Sequence, residues 1–104
     1  MEGICMDLSV QQVARILKAI SDPKRLQIVN MLCGGELGAS TILASFDITQ
    51  PTLSHDMHVL VASGLVKERR VGKSVLYSLN KDEVGAFMNA LNGLVNPGKG
   101  KLIG

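Results

Sequence analysis

Thr49-Gln50-Pro51-Thr52-Leu53-Ser54-His55-Asp56-Met57-His58-Val59-Leu60-Val61-Ala62-Ser63-Gly64-Leu65-Val66 is the stretch whose reading decides the fold. Thr49 is suited to cap a helix, and Pro51 is suited to its first turn, where a missing N–H costs nothing. Leu53, Met57 and Leu60 then recur at i, i+4 and i+7, the spacing of one helical face. Gln50, Thr52, Ser54, His55 and His58 fall on or near the other faces, a short-chained polar surface uncharged apart from Asp56. Gly64 ends the helix, and the period changes from helical to two. Leu65, Val66 and Val71, then Val75, Tyr77 and Leu79, alternate with polar or basic residues around Gly72-Lys73, which predicts a β-hairpin.

Working upstream, Asp47-Ile48-Thr49 is a tight connection from a short helix predicted over 38–46, with Ile42, Leu43 and Phe46 at core spacing. Before it, Asp22-Pro23 opens a helix over 23–32. Its apolar side uses Leu26, Ile28 or Val29, and Leu32, and Gly34-Gly35 ends it. A first helix over 8–20 follows from Leu8, Val10, Val13, Ile16, Leu17 and Ile20. Downstream of the hairpin, Val84, Phe87, Met88, Leu91, Leu94 and Val95 predict a last helix over 82–95.

The predicted fold is therefore mainly α with a small β-hairpin (α+β): four helices, the hairpin, then a fifth helix. A short helix, a tight turn and a second helix form a helix-turn-helix, and the hairpin directly after it forms a wing. One winged helix-turn-helix domain over 8–95 is expected, between an N-terminal arm over 1–7 and a C-terminal tail over 96–104. At 104 residues and 46% hydrophobic content the chain suits one core, filled mainly by aliphatic side chains because only Tyr77, Phe46 and Phe87 are aromatic. Dimerisation would enlarge it.

Net charge is only +2, but its distribution is uneven. Between Gly64 and Lys81, Lys67, Arg69, Arg70, Lys73 and Lys81 stand against Glu68, a local excess suited to phosphate. In the preceding helix Gln can bond adenine, Ser and Thr can bond bases or phosphates, and a Thr methyl can meet thymine. Thr49, Gln50, Thr52, Ser54, His55 and His58 are thus the candidate DNA-reading residues, and Arg69, Arg70 and Lys73 the candidate backbone contacts of the wing. Taken singly, each feature reads equally well as an ordinary surface helix or a solvated turn. Their order in one short chain favours double-stranded DNA as the partner.

Ile20-Ser21-Asp22-Pro23-Lys24-Arg25-Leu26, Gly35-Glu36-Leu37, Gln50-Pro51-Thr52-Leu53-Ser54-His55-Asp56-Met57 and Ser63-Gly64-Leu65-Val66 together resemble the ArsR/SmtB family of bacterial metalloregulatory repressors, from about Val10 to Val95. The resemblance implies a homodimer whose first and last helices pack across a two-fold axis. Two reading helices would then meet successive major grooves of a palindromic operator, and an inducer would relieve repression. One departure is Asp56, where many relatives carry His. A carboxylate facing phosphate would be repelled, so Asp56 is expected to face the partner helix or a nearby base donor.

Arsenical sensors of that family carry two cysteines after Glu-Leu, whereas this chain has Gly38 and Ser40 there. Hydroxyl oxygen is a poor substitute for thiolate sulfur. Zinc and nickel sensors place Asp and His pairs on the last helix, which here has Asp82 and Glu83 but no histidine. Cys5 and Cys33 remain as candidate thiol or redox groups for a thiophilic metal or metalloid. The plainer reading makes Cys33 a small buried apolar residue and Cys5 a bystander. His55 and His58, three apart, read as DNA contacts or exposed side chains in preference to metal ligands, since no third ligand is near in sequence.

Two cysteines make no disulfide framework, and there is no signal peptide and no run of about 18 apolar residues, so a cytoplasmic protein without a membrane partner is expected. With no Gly-rich phosphate loop, nucleophile motif or paired acids, an enzyme is not expected. The competing readings are a DNA-binding relative that has lost inducer sensing and a winged module that docks a protein.

Overall fold

The computed structural model describes residues 8–97. The arm over 1–7, including Cys5, and the tail beyond Pro97 lie outside the described residues. The elements run α1 (Val10–Ala19), α2 (Pro23–Leu32), β1 (Leu37–Gly38), α3 (Ala39–Ala44), α4 (Gln50–Ala62), β2 (Val66–Val71), β3 (Ser74–Leu79) and α5 (Lys81–Val95). Four helices, a hairpin and a fifth helix is the expected order.

Local hydrogen bonds explain most boundaries. Asp22 caps α2 by accepting from the Arg25 amide at 3.1 Å with Pro23 in the first turn, and Thr49 caps α4 by accepting from the Thr52 amide at 3.3 Å. The Asp22 carboxyl is held below its ordinary pKa, chiefly by that backbone bond. At α1, Ser9 and Gln12 bond each other's amides reciprocally, at 3.1 and 2.8 Å, a capping box. Asn80 caps α5, which therefore starts at Lys81, one residue earlier than expected. Gly64 (φ 92°) and Gly72 (φ 60°) take the left-handed backbone needed to leave α4 and to turn the hairpin.

Further features depart from the expected elements: α1 starts at Val10 behind its Ser9 cap and ends at Ala19, inside the expected 8–20. Helix α3 spans six residues and stops before Phe46, and residues Leu37–Gly38 form a strand not anticipated from the sequence. That strand pairs antiparallel with β3, Leu37 opposite Tyr77 and Gly38 opposite Leu76, giving a three-stranded sheet in the order β1-β3-β2. The wing is thereby tied to the start of the helix-turn-helix. Its register aligns Glu68 with Tyr77, Arg69 with Leu76 and Arg70 with Val75.

The core joins every layer: Val13 and Ile16 of α1, Ile28 and Leu32 of α2, Ile42 of α3, Leu53, Met57 and Leu60 of α4, Leu65, Val66 and Tyr77 of the hairpin, and Phe87 of α5. The expected face of α4 is thus the buried one. Several residues expected on core faces are exposed instead, namely Val10 and Leu17 on α1, Leu26 on α2, Val71 on β2, and Met88, Leu94 and Val95 on α5. For α1 and α5 the reason is that they pack on each other and bury only one side of each helix.

Candidate nucleic-acid interface

Because Leu53, Met57 and Leu60 turn α4 into the core, its opposite side stands outward between grooves. On the wing side, a groove of about 410 Å³ is lined by Gln50, Ser54 and His58 of α4 and by Glu68, Arg70 and Tyr77 of the hairpin. Nearer the helix start, a cleft of about 520 Å³ brings Gln50 together with Lys73 and Ser74 of the wing tip and Ser40 and Thr41 of α3. On the other side, His55 and His58 border a groove against α1. His58 lines a groove on each side of the helix, which puts it on the crest, while both grooves that Gln50 lines are on the wing side.

The expected site residues do not all share this surface. In a strand, successive side chains point to opposite faces, and the register puts Glu68 and Arg70 on the α4 side with Val75 and Tyr77. Arg69 lies on the other face. Its guanidinium donates two hydrogen bonds to the Glu36 carboxylate, at 2.8 and 3.0 Å, across 33 residues of chain. Those bonds hold the Glu36 carboxyl below its ordinary pKa and raise Arg69 above its own. Arg69, expected with Arg70 and Lys73 as a backbone contact of the wing, is thus paired with an acid that no local pattern in the sequence connects to it. Arg70 stays largely exposed, with Glu68 at 3.5 Å.

Thr49 and Thr52 are exposed at the start of α4, but the Thr49 hydroxyl accepts from the Thr52 amide and donates to the Thr52 hydroxyl at 3.0 Å, so its first task is capping. Ser40, Thr41 and Ser74 carry no signal in the sequence, since only the docking of the wing tip on α3 brings them beside Gln50 and Lys73.

Asp56 does not belong to the polar surface of α4. It is only 2% exposed, and of its two expected placements the inward one holds, with α2 as the helix it faces. Oδ1 accepts from Arg25 Nη1 at 3.1 Å, and the Lys24 ammonium stands 2.6 Å from Oδ2. Arg25 Nε also donates to the Ala19 carbonyl at 2.6 Å, so one guanidinium ties the end of α1 to α4. The Asp56 carboxylate beside the ammonium is the main cause that raises the Lys24 pKa. A buried carboxylate flanked by two bases is the arrangement burial demands.

The sensing candidates are also placed. Cys33 closes α2 and is exposed, not buried, its thiol donating weakly to the Val29 carbonyl at 3.5 Å. Among the described residues, no group of three or more His, Cys, Asp and Glu side chains could hold a metal ion. Gly38 is paired in the sheet and Ser40 is the second residue of α3.

Known proteins share this arrangement. The model of the arsR family of bacterial regulatory proteins matches residues 22–68, from the cap of α2 to β2. The arsenical resistance operon repressor of Staphylococcus xylosus is 44% identical over 85 residues, covering 82% of this chain and 78% of that one. The transcriptional repressor SdpR of Bacillus subtilis (strain 168) is 33% identical over 84% of this chain and 97% of its own length. Among solved structures, the homodimeric winged helix-turn-helix DNA-binding domain of a possible ArsR-family regulator from Mycobacterium bovis superposes with a TM-score of 0.68 at 30% identity, covering 84% of this chain and 85% of that one. With its helix-turn-helix, its wing and relatives that match along most of their length, this chain belongs to the arsR family of bacterial regulatory proteins.

Proposed function

We propose that the chain is a transcriptional repressor that binds double-stranded operator DNA as a homodimer and lets go when an inducer binds. The observation that carries this reading is the outward side of α4, where Gln50, Ser54 and His58 are presented beside Arg70 and, at the helix start, Lys73. Gln50 and Ser54 supply donors and acceptors for base edges, while Lys73 and Arg70 meet phosphates. A palindromic operator follows from two-fold symmetry. The protein works by binding and not by catalysis, in the cytoplasm, and no helix of the described residues is long and apolar enough to cross a membrane. Exposed Cys33 is the described group that a thiol-reactive or thiophilic signal would meet.

The test is fluorescence anisotropy on operator and scrambled duplexes. Gln50→Ala and Ser54→Ala are expected to narrow the difference between the two duplexes, by about 1–3 kcal/mol where the side chain makes a good bidentate pair with a base. Lys73→Ala is expected to weaken both duplexes alike. Equal losses on both duplexes for all three variants would remove the division between reading and positioning.

Arg69 supports a further expectation. Glu36→Gln leaves the shape of the side chain but takes away the charge that engages the Arg69 guanidinium. The freed guanidinium is expected to tighten binding to any duplex and to steepen its salt dependence. An unchanged salt slope would mean that Arg69 stays off the DNA.

A further inference from the structure

The cations of the wing are only partly free to meet phosphate. Arg69 is held by Glu36 and Arg70 has Glu68 within 3.5 Å, which leaves Lys67 and Lys73 as the basic side chains of the hairpin without an ion pair among the described residues. On the far side of α4 the balance is reversed. A groove of about 350 Å³ separates α4 from α1, with His55 and His58 on one wall, Arg15 and Lys18 on the other, and Ala19 and Val59 among its lining. Neither Arg15, Lys18, His55 nor His58 has an acidic partner among the described residues. Arg25, also at the groove, is committed to Asp56 and the Ala19 carbonyl.

Helix α1 is divided lengthwise. Val13, Ile16 and Ala19 enter the core, Val10, Ala14 and Leu17 make an exposed apolar stripe, and Gln11, Arg15 and Lys18, spaced i, i+4 and i+7, make an exposed polar stripe. Arg15 and Lys18 of that stripe face the same groove as His55 and His58, two residues already on the outward side of α4.

We propose that Arg15 and Lys18 of α1, facing His55 and His58 across the groove, form a second phosphate-binding strip that grips the operator backbone on the side of α4 opposite the wing. The inference rests on the DNA-binding reading above and extends it to a helix outside the helix-turn-helix and the wing. Charge complementarity selects the occupant: unpaired bases on α1 and imidazoles on α4 suit a phosphate backbone, and the alkyl stems of Arg15 and Lys18 can lie along deoxyribose. Contacts of this kind set position and affinity but carry no base information.

The test uses the full chain and a labelled scrambled duplex, with anisotropy measured from about 50 to 200 mM salt, the range over which phosphate contacts weigh heavily. For Arg15→Ala or Lys18→Ala the logarithmic salt slope is expected to flatten by about 0.9 for each phosphate no longer neutralised, or about 1.8 for a dimer in which each protomer releases one. Lys18→Arg is expected to keep the slope. Both residues are exposed, so circular dichroism should match the unaltered chain. If the unaltered chain binds with a steep slope and both alanine variants keep it, the strip is overturned while the DNA-binding reading stands. If the unaltered chain shows no salt-dependent binding, both fall. Loss of affinity that sedimentation traces to dissociated protomers would overturn the strip in favour of an interface between copies.

Discussion

Asp56→Ala is expected to lower the stability of the fold by about 2 kcal/mol, read as a reduced urea midpoint with an unchanged slope. The carboxylate is buried at 2% exposure and is the common partner of Lys24 and Arg25. Taking one member from a fully buried pair typically costs about 3–5 kcal/mol, because the other charge is stranded. Here the two bases keep 25% and 18% of their side-chain surface, so water relieves part of that penalty and the lower figure applies. Asp56→Asn, which can still accept from Arg25, should lose less. The same cluster joins α2 to α4 and, through the Ala19 carbonyl, to the end of α1. Asp56→Ala should therefore also lower the ratio of operator to scrambled affinity at temperatures where it remains folded. A urea midpoint equal to that of the unaltered chain would show that the cluster contributes nothing net.

Met88→Glu is expected to separate the homodimer and to reduce operator affinity by about 100-fold or more, the order of gain expected when two linked sites bind together. Met88 is 56% exposed on α5, and Leu94 and Val95 on the same helix and Val10 and Leu17 on neighbouring α1 are exposed with it. Apolar side chains gathered on two packed helices mark a binding surface more than isolated ones do. Since Met88 already meets solvent in the protomer, the substitution should leave the circular dichroism spectrum intact. Sedimentation equilibrium at micromolar concentration decides the matter: a protomer mass is the expected outcome, and a persistent dimer with full operator affinity would place the interface elsewhere.

The exposure of this surface shows why helical periodicity assigns too much to the core. Val10 and Leu17 obey the same spacing as Val13 and Ile16, and Met88 the same as Phe87 and Leu91. Spacing identifies an apolar side but not what covers it. In α4, where the apolar side is narrow, spacing and burial agree on Leu53, Met57 and Leu60. Cys33 shows the same error from residue type instead of spacing: a residue type often buried stands exposed here, where α2 ends.

The sequence by itself determined the five helices, the hairpin and their order, because most of their boundaries depend on bonds between near neighbours. Asp22 and Thr49 reach amides three residues on, Pro23 and Pro51 pre-set first turns, and Gly64 and Gly72 permit the backbone of their turns. From these follow the helix-turn-helix, the wing, and the outward side of α4. Tertiary structure alone decided which charges are free to act. Glu36 takes Arg69 across 33 residues, Arg25 takes Asp56 across 31, and β1 forms only because β3 offers it an edge. An ion pair forms where docking brings two side chains within about 4 Å, and no spacing along the chain encodes that distance. The helix-turn-helix and the wing were thus legible in the sequence, whereas the pairing of Arg69 with Glu36 and the groove that sets Arg15 and Lys18 across from His55 and His58 emerged only when the helices packed.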